Sequence, residues 1–157
     1  MHLRCKNLPY NSVLICMKTV KLALPQNRIL TCMETVKLTQ YRYETDAWKR
    51  QLGFMTEESI FAKIHIAAIL QEPGDADMLE ALESFQSGFI EKDNLISLLK
   101  NEIAEFDKLL TRKTFTNGKN NSLVNNSARK LRQQIRLAEQ AFSRYLKTFN
   151  QFLLDNL

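Results

Sequence analysis

Two histidines occur in the chain, His2 and His65, and only His65 lies among regularly patterned residues, between Ile64 and Ile66 and seven residues after Glu58. Near neutral pH a histidine can move protons or bind a metal ion. A di-metal helical bundle needs inward carboxylates and a Glu-x-x-His pair on two helices, and no such pair is present. His65 therefore reads as a partly buried or surface histidine. The acids Glu57, Glu58, Glu102 and Glu105 offer a carboxylate pair on paper, but solvated helix faces explain them better. Ser84, Ser87 and Ser97 have no histidine nearby in sequence to activate them.

Cys5, Cys16 and Cys32 all fall in the first third of the chain, without a Cys-x-x-Cys pair. That spacing fits neither a zinc site nor a disulfide framework, and points to a reducing compartment. Glycines at 53, 74, 88 and 118 are too scattered to cradle a phosphate. The expectation is a non-enzymatic protein with no catalytic residue, no cofactor, no metal and no small-molecule ligand.

Arg129, Arg132 and Arg136 share one face of a helical pattern and could follow a phosphate backbone. No aromatic interleaves them for stacking on bases, and acidic segments precede them. Structural pairing with those acids is the stronger reading; a nucleic-acid partner using this face and the basic tail is the alternative. Lys92 interrupts an apolar stripe, and snorkelling of its ammonium to solvent is the preferred reading, ahead of a role in fixing register.

The positive charge is local. Residues 1–42 hold seven bases against one acid, whereas the rest carries fifteen bases and sixteen acids. The tail also contains a duplication: Cys16-Met17-Lys18-Thr19-Val20-Lys21-Leu22 recurs as Cys32-Met33-Glu34-Thr35-Val36-Lys37-Leu38. Residues 1–40 are therefore expected to be a basic, poorly ordered tail, with Met33 as the favoured natural start. The alternative is a basic, β-prone arm that binds an acidic surface.

Beyond the tail, apolar residues recur at alternating intervals of four and three, as in helices packed as coiled coils. One series runs Leu82, Phe85, Phe89, Lys92, Ile96, Leu99, Ile103, Phe106, Leu110. Another runs Val124, Ala128, Leu131, Ile135, Ala138, Phe142, Tyr145, Phe149, Phe152. The first is Trp48, Leu52, Met55, Ser59, Ala62, Ile66, Ile69. Glu72-Pro73-Gly74 and the polar run at 116–122 punctuate the three. The expected fold is all-α: an antiparallel up-down-up three-helix coiled-coil bundle over 41–157, with helices at about 43–71, 76–114 and 122–155. Asp77 with Glu80 reads as a capping box, Asp75 as the competing cap and Ser122 as the third cap. A turn centred on Pro73 and Gly74 would set Ser59 opposite Phe89, with Gly88 letting the backbones approach.

The first helix has apolar residues to spare. Phe54, Ile60, Phe61 and Ile64 lie off its seam and form the candidate protein interface. Trp48-Lys49-Arg50-Gln51-Leu52-Gly53-Phe54-Met55 and Phe85-Gln86-Ser87-Gly88-Phe89-Ile90 resemble segments of small uncharacterised bacterial coiled-coil proteins. That resemblance covers about half the chain and implies a helical fold without an assigned function. With no apolar run long enough to span a bilayer, the expected protein is a cytoplasmic helical module that associates with itself or with another helical protein.

Overall fold

The computed structural model describes residues 26–72, 75–111 and 118–156. They form three helices: α1 (Gln26–Ile69), α2 (Ala76–Thr111) and α3 (Gly118–Asn156), with no strand among the described residues. The chain divides into two compact units, Met1–Leu38 and Thr39–Leu157. Of the first, the described part is the opening stretch of α1. The second contains the bundle.

Two helix starts correct the sequence expectation. The first helix begins at Gln26 rather than near 43, so the second copy of the duplication, residues 32–38, is helical and not a β-prone arm. The boundary expected near residue 40 matches the division between the two compact units, but α1 runs through it. Tyr41 and Thr45 continue the four–three series ahead of Trp48, and both are buried. The first copy of the duplication lies outside the described residues. The third helix begins at Gly118, four residues ahead of Ser122.

The first helix ends by tightening: the amides of Gln71 and Glu72 donate to the carbonyls of Ala68 and Ile69 at 3.3 and 3.0 Å. Pro73 and Gly74 lie outside the described residues. At the next start, the Leu79 amide donates to the Asp75 carbonyl at 3.0 Å, which makes Asp75 the capping residue. Asp77 instead occupies the first turn, where its charge suits the positive end of the helix dipole.

The seams predicted from spacing are the core. Leu52, Ile66, Leu82, Phe89, Ile103 and Ala128 are fully buried, joined by Ile96, Leu99, Phe106, Leu131, Ile135, Phe142 and Phe149. Burying one such large side chain stabilises by about 1.5–3 kcal/mol, so this continuous seam is the main source of stability. Thr45 satisfies its buried hydroxyl by donating to the Arg42 carbonyl at 2.8 Å. Ser59, also fully buried, has no hydrogen-bond partner for its hydroxyl among the described residues.

Lateral polar pairs fix how α1 and α2 align. Lys49 pairs with Asp107, Lys100 donates to the Thr56 hydroxyl at 2.9 Å, and Lys63 pairs with Asp93. Each step forward of seven residues on α1 is matched by seven backward on α2, so the two are antiparallel. The aromatic contacts of Phe85 and Phe89 with Phe142, Tyr145 and Phe149 make α2 and α3 antiparallel as well. Contacts of Tyr41 with Asn125 and Glu44 with Arg132 run in the same direction, so α1 and α3 are parallel. The up-down-up arrangement holds.

The register between α1 and α2 is bracketed by the ring contacts of Phe106 with both Tyr41 and Trp48, and the lateral pairs are reached through long lysine side chains. An alignment centred on the turn would set Gly88 against α1. Gly88 faces α3 instead. A methyl group there would collide with the Tyr145 hydroxyl and with the ring carbon that bears it. Gly53 is the opposite case, since a methyl group on it would meet nothing within 4 Å.

The two glycines should therefore respond with opposite sign. Gly53→Ala is expected to raise stability by about 0.5–1 kcal/mol, the ordinary gain of replacing a mid-helix glycine. Gly88→Ala is expected to lower it by about 1–2 kcal/mol through the lost Tyr145 packing and hydrogen bonding. Urea unfolding of both variants at one low protein concentration measures the contrast; equal shifts would refute it.

Candidate functional site

On α1 the inward seam is Tyr41, Thr45, Trp48, Leu52, Met55, Ser59, Ala62, Ile66 and Ile69. Moving each of these two positions along the chain gives Tyr43, Ala47, Arg50, Phe54, Glu57, Phe61, Ile64, Ala68 and, past the helix end, Gln71. Two residues are about 200° around a helix, so this second four–three series faces away from the core. On one shoulder Lys49, Thr56 and Lys63 reach partners on α2, and on the other Glu44 meets Arg132 of α3; the outer edge of the α2 shoulder, with Gly53 and the 47% exposed Ile60, stays uncovered and adjoins the outward series.

Four outward residues are the sequence-predicted interface, and the structure brings them together on one exposed face. Phe54, Phe61, Ile64 and Ile60 are 62%, 60%, 55% and 47% exposed. Sequence reasoning missed Tyr43, the most exposed aromatic, and Ala47 on the same stripe. The signal was present in the second four–three count, masked by Arg50 and Glu57. The outward faces of α2 and α3 also expose apolar residues, Leu95 and Leu98 one turn apart on α2 among them, but no aromatic on these two helices is exposed among the described residues. Isolated apolar residues are ordinary on a protein surface; a continuous stripe is not.

The three candidate arginines do not form one free basic face. Arg132 grips Glu44 through two nitrogens, Nε at 2.9 Å and Nη2 at 2.7 Å, and lies over the Tyr41 ring at 5.9 Å. Its guanidinium is thus committed to joining α3 to α1. Arg129 and Arg136 are exposed, with no acid in ion-pair distance among the described residues. The neighbouring Lys130 approaches Glu102 of α2 at 3.6 Å.

Residues with chemical potential stay apart. His65 is exposed on the side of α1 that carries Glu58 and Glu44. Among the described residues no group of three potential ligands is placed to hold a metal ion. Cys5 and Cys16 lie outside the described residues. Between Phe85 and the end of α3 is an open groove of about 470 Å³, floored by Phe85 and Phe152 and rimmed by Lys147, Gln151 and Asp155. Its rim amide is occupied, since Gln151 donates to Asp155 at 2.8 Å. No nucleophile and base meet in it. No described helix is long and apolar enough to cross a membrane.

Lys92 is half-buried beside the α2 seam. Its ammonium sits 4.9 Å from the centre of the Tyr145 ring, which also packs on Phe85 and Phe89. The Tyr145 hydroxyl donates to the carbonyls of Phe85 and Ser84 at 3.2 and 3.4 Å. Burial, with a smaller contribution from the Glu91 carboxylate, raises its pKa above the ordinary 10.0.

No protein-family model matches the chain, and no curated protein or solved structure matches it.

The Tyr145 environment generates a pH prediction. The phenol ionises more readily in the unfolded chain, so its contribution to stability is complete below pH 10 and is lost as pH rises through the higher native value. Tyr145→Phe should be less stable at pH 8 but decline less steeply above pH 10. Denaturant midpoints across pH 8–11 provide the check, and parallel curves for the two proteins would count against it.

Proposed function

We propose that this chain is a non-enzymatic, cytoplasmic protein–protein interaction module, and that the outward stripe of α1 is its docking face. The observation that carries this reading is the contiguity of Phe54, Ile60, Phe61 and Ile64, each about half or more exposed on one side of a rigidly held helix. An apolar stripe of this kind suits the apolar face of another helix, on a second copy or on a different protein. The seam behind it presents the stripe without help from the exposed residues themselves. Docking therefore does not require refolding of the bundle, and the ordering cost of binding is confined to side chains.

Phe54→Glu/Phe61→Glu is the discriminating variant. Neither ring is needed by the bundle, so the circular-dichroism spectrum and, at low protein concentration, the thermal midpoint should stay near those of the unaltered protein. Association, with itself in sedimentation or with another protein in affinity capture, should fall by about a hundredfold or more, because burying four charges without partners is costly. An association that survives this double change would remove the stripe from function.

A further inference from the structure

We infer that the occupant of the α1 stripe is a second copy of this chain, docked antiparallel about a twofold axis between Gly53 and Phe54; the inference rests on the docking face proposed above. Three independent features of the stripe converge on that axis.

The first is charge. The stripe contains two charged residues of opposite sign, Arg50 and Glu57, both exposed and without an ion pair among the described residues. They are two helical turns apart, about 10 Å, and do not reach each other within one chain. A parallel pair of α1 helices would set Arg50 against Arg50 and Glu57 against Glu57. An antiparallel pair centred between residues 53 and 54 sets each Arg50 against Glu57 of the second copy, twice by symmetry. Like charges face to face oppose docking, whereas this alignment makes the stripe complementary to itself.

The second feature is Gly53. A glycine inside a helix is unfavourable, and nothing within 4 Å occupies the space that a side chain would take. The bundle has no packing reason for it. On the proposed axis Gly53 faces Gly53 of the second copy, and two missing side chains let the helix backbones come close. Phe54 meets Phe54 of the second copy on the other flank of the axis.

The third feature is the match of sizes away from the axis. The same alignment lays Phe61 over the small Ala47 of the second copy and Ile64 against its Tyr43, the stripe's most exposed aromatic. Each large exposed residue thus finds either a gap or an apolar surface. The polar ends of the stripe, beyond Tyr43 and Ala68, lie outside the contact.

Sedimentation equilibrium of the full chain under reducing conditions, over a wide range of concentrations, tests the inference with Arg50→Glu, Glu57→Arg and the double exchange. The unaltered chain is expected to dimerise. Each single exchange should weaken the dimer by about tenfold or more, and the double exchange should restore it. A dimer indifferent to both single exchanges overturns the antiparallel alignment. A chain that stays monomeric throughout overturns self-association, and if a different protein or a lipid vesicle then binds through Phe54 and Phe61, that ligand is the occupant. A dimer that persists in Phe54→Glu/Phe61→Glu overturns the docking face itself along with this inference.

Discussion

Everything in this molecule depends on the burial of one four–three seam per helix. Leu52, Ile66, Leu82, Phe89, Ile103 and Ala128 are removed completely from solvent. A helix that commits one stripe to a shared seam still has most of its circumference outside it. The flanks next to the seam are then fixed by proximity: they must carry groups that tolerate a neighbouring helix, and here they carry Lys49, Lys63, Asp93, Asp107, Glu44 and Arg132. What remains is the outward third, which on α1 carries the exposed aromatics Tyr43, Phe54 and Phe61, and on α2 and α3 exposed aliphatic residues such as Leu98 and Leu137.

The groups that might have signalled chemistry are absorbed by packing. Arg132 stacks on Tyr41 and pairs with Glu44, so the most suggestive basic residue is a joint between helices. Lys92 rests over Tyr145, whose hydroxyl reaches the α2 backbone through the space left by Gly88. Three residues that looked unrelated in sequence, a lysine in a seam, a tyrosine in a seam and a glycine beside one, form a single contact. The cation offsets the imperfect apolarity of that layer, and the ring cluster of Phe85, Phe89 and Phe149 surrounds it. The groove lined by Phe85 and Phe152 opens beside this cluster.

Legibility followed the range of the interaction. The seams of α2 and α3 were readable because periodicity is a property of neighbouring residues: between Leu82 and Leu110 and between Val124 and Phe149 the series is buried except at the half-buried Phe85, Lys92 and Tyr145. The exposure of Phe54, Ile60, Phe61 and Ile64 was readable for the same reason, since a surplus over one stripe must go somewhere. The start of α1 was not, because a change in charge at about residue 42 looked like a boundary while Tyr41 and Thr45 quietly continued the spacing. Tyr43 and Ala47 were missed because Arg50 and Glu57 break the second stripe to the eye.

The sequence by itself determined that there are three helices, which residues of each face inward and which apolar residues are left over, all consequences of local geometry. Only the tertiary structure decided the register. Phe106 packs on both Tyr41 and Trp48, and Gly88 serves Tyr145 rather than α1. Heptads that repeat every seven residues are compatible with several alignments, and spacing cannot choose among them. The choice is made by pairs remote in sequence, Lys49 with Asp107 and Lys63 with Asp93, whose meeting depends on where each helix begins and ends.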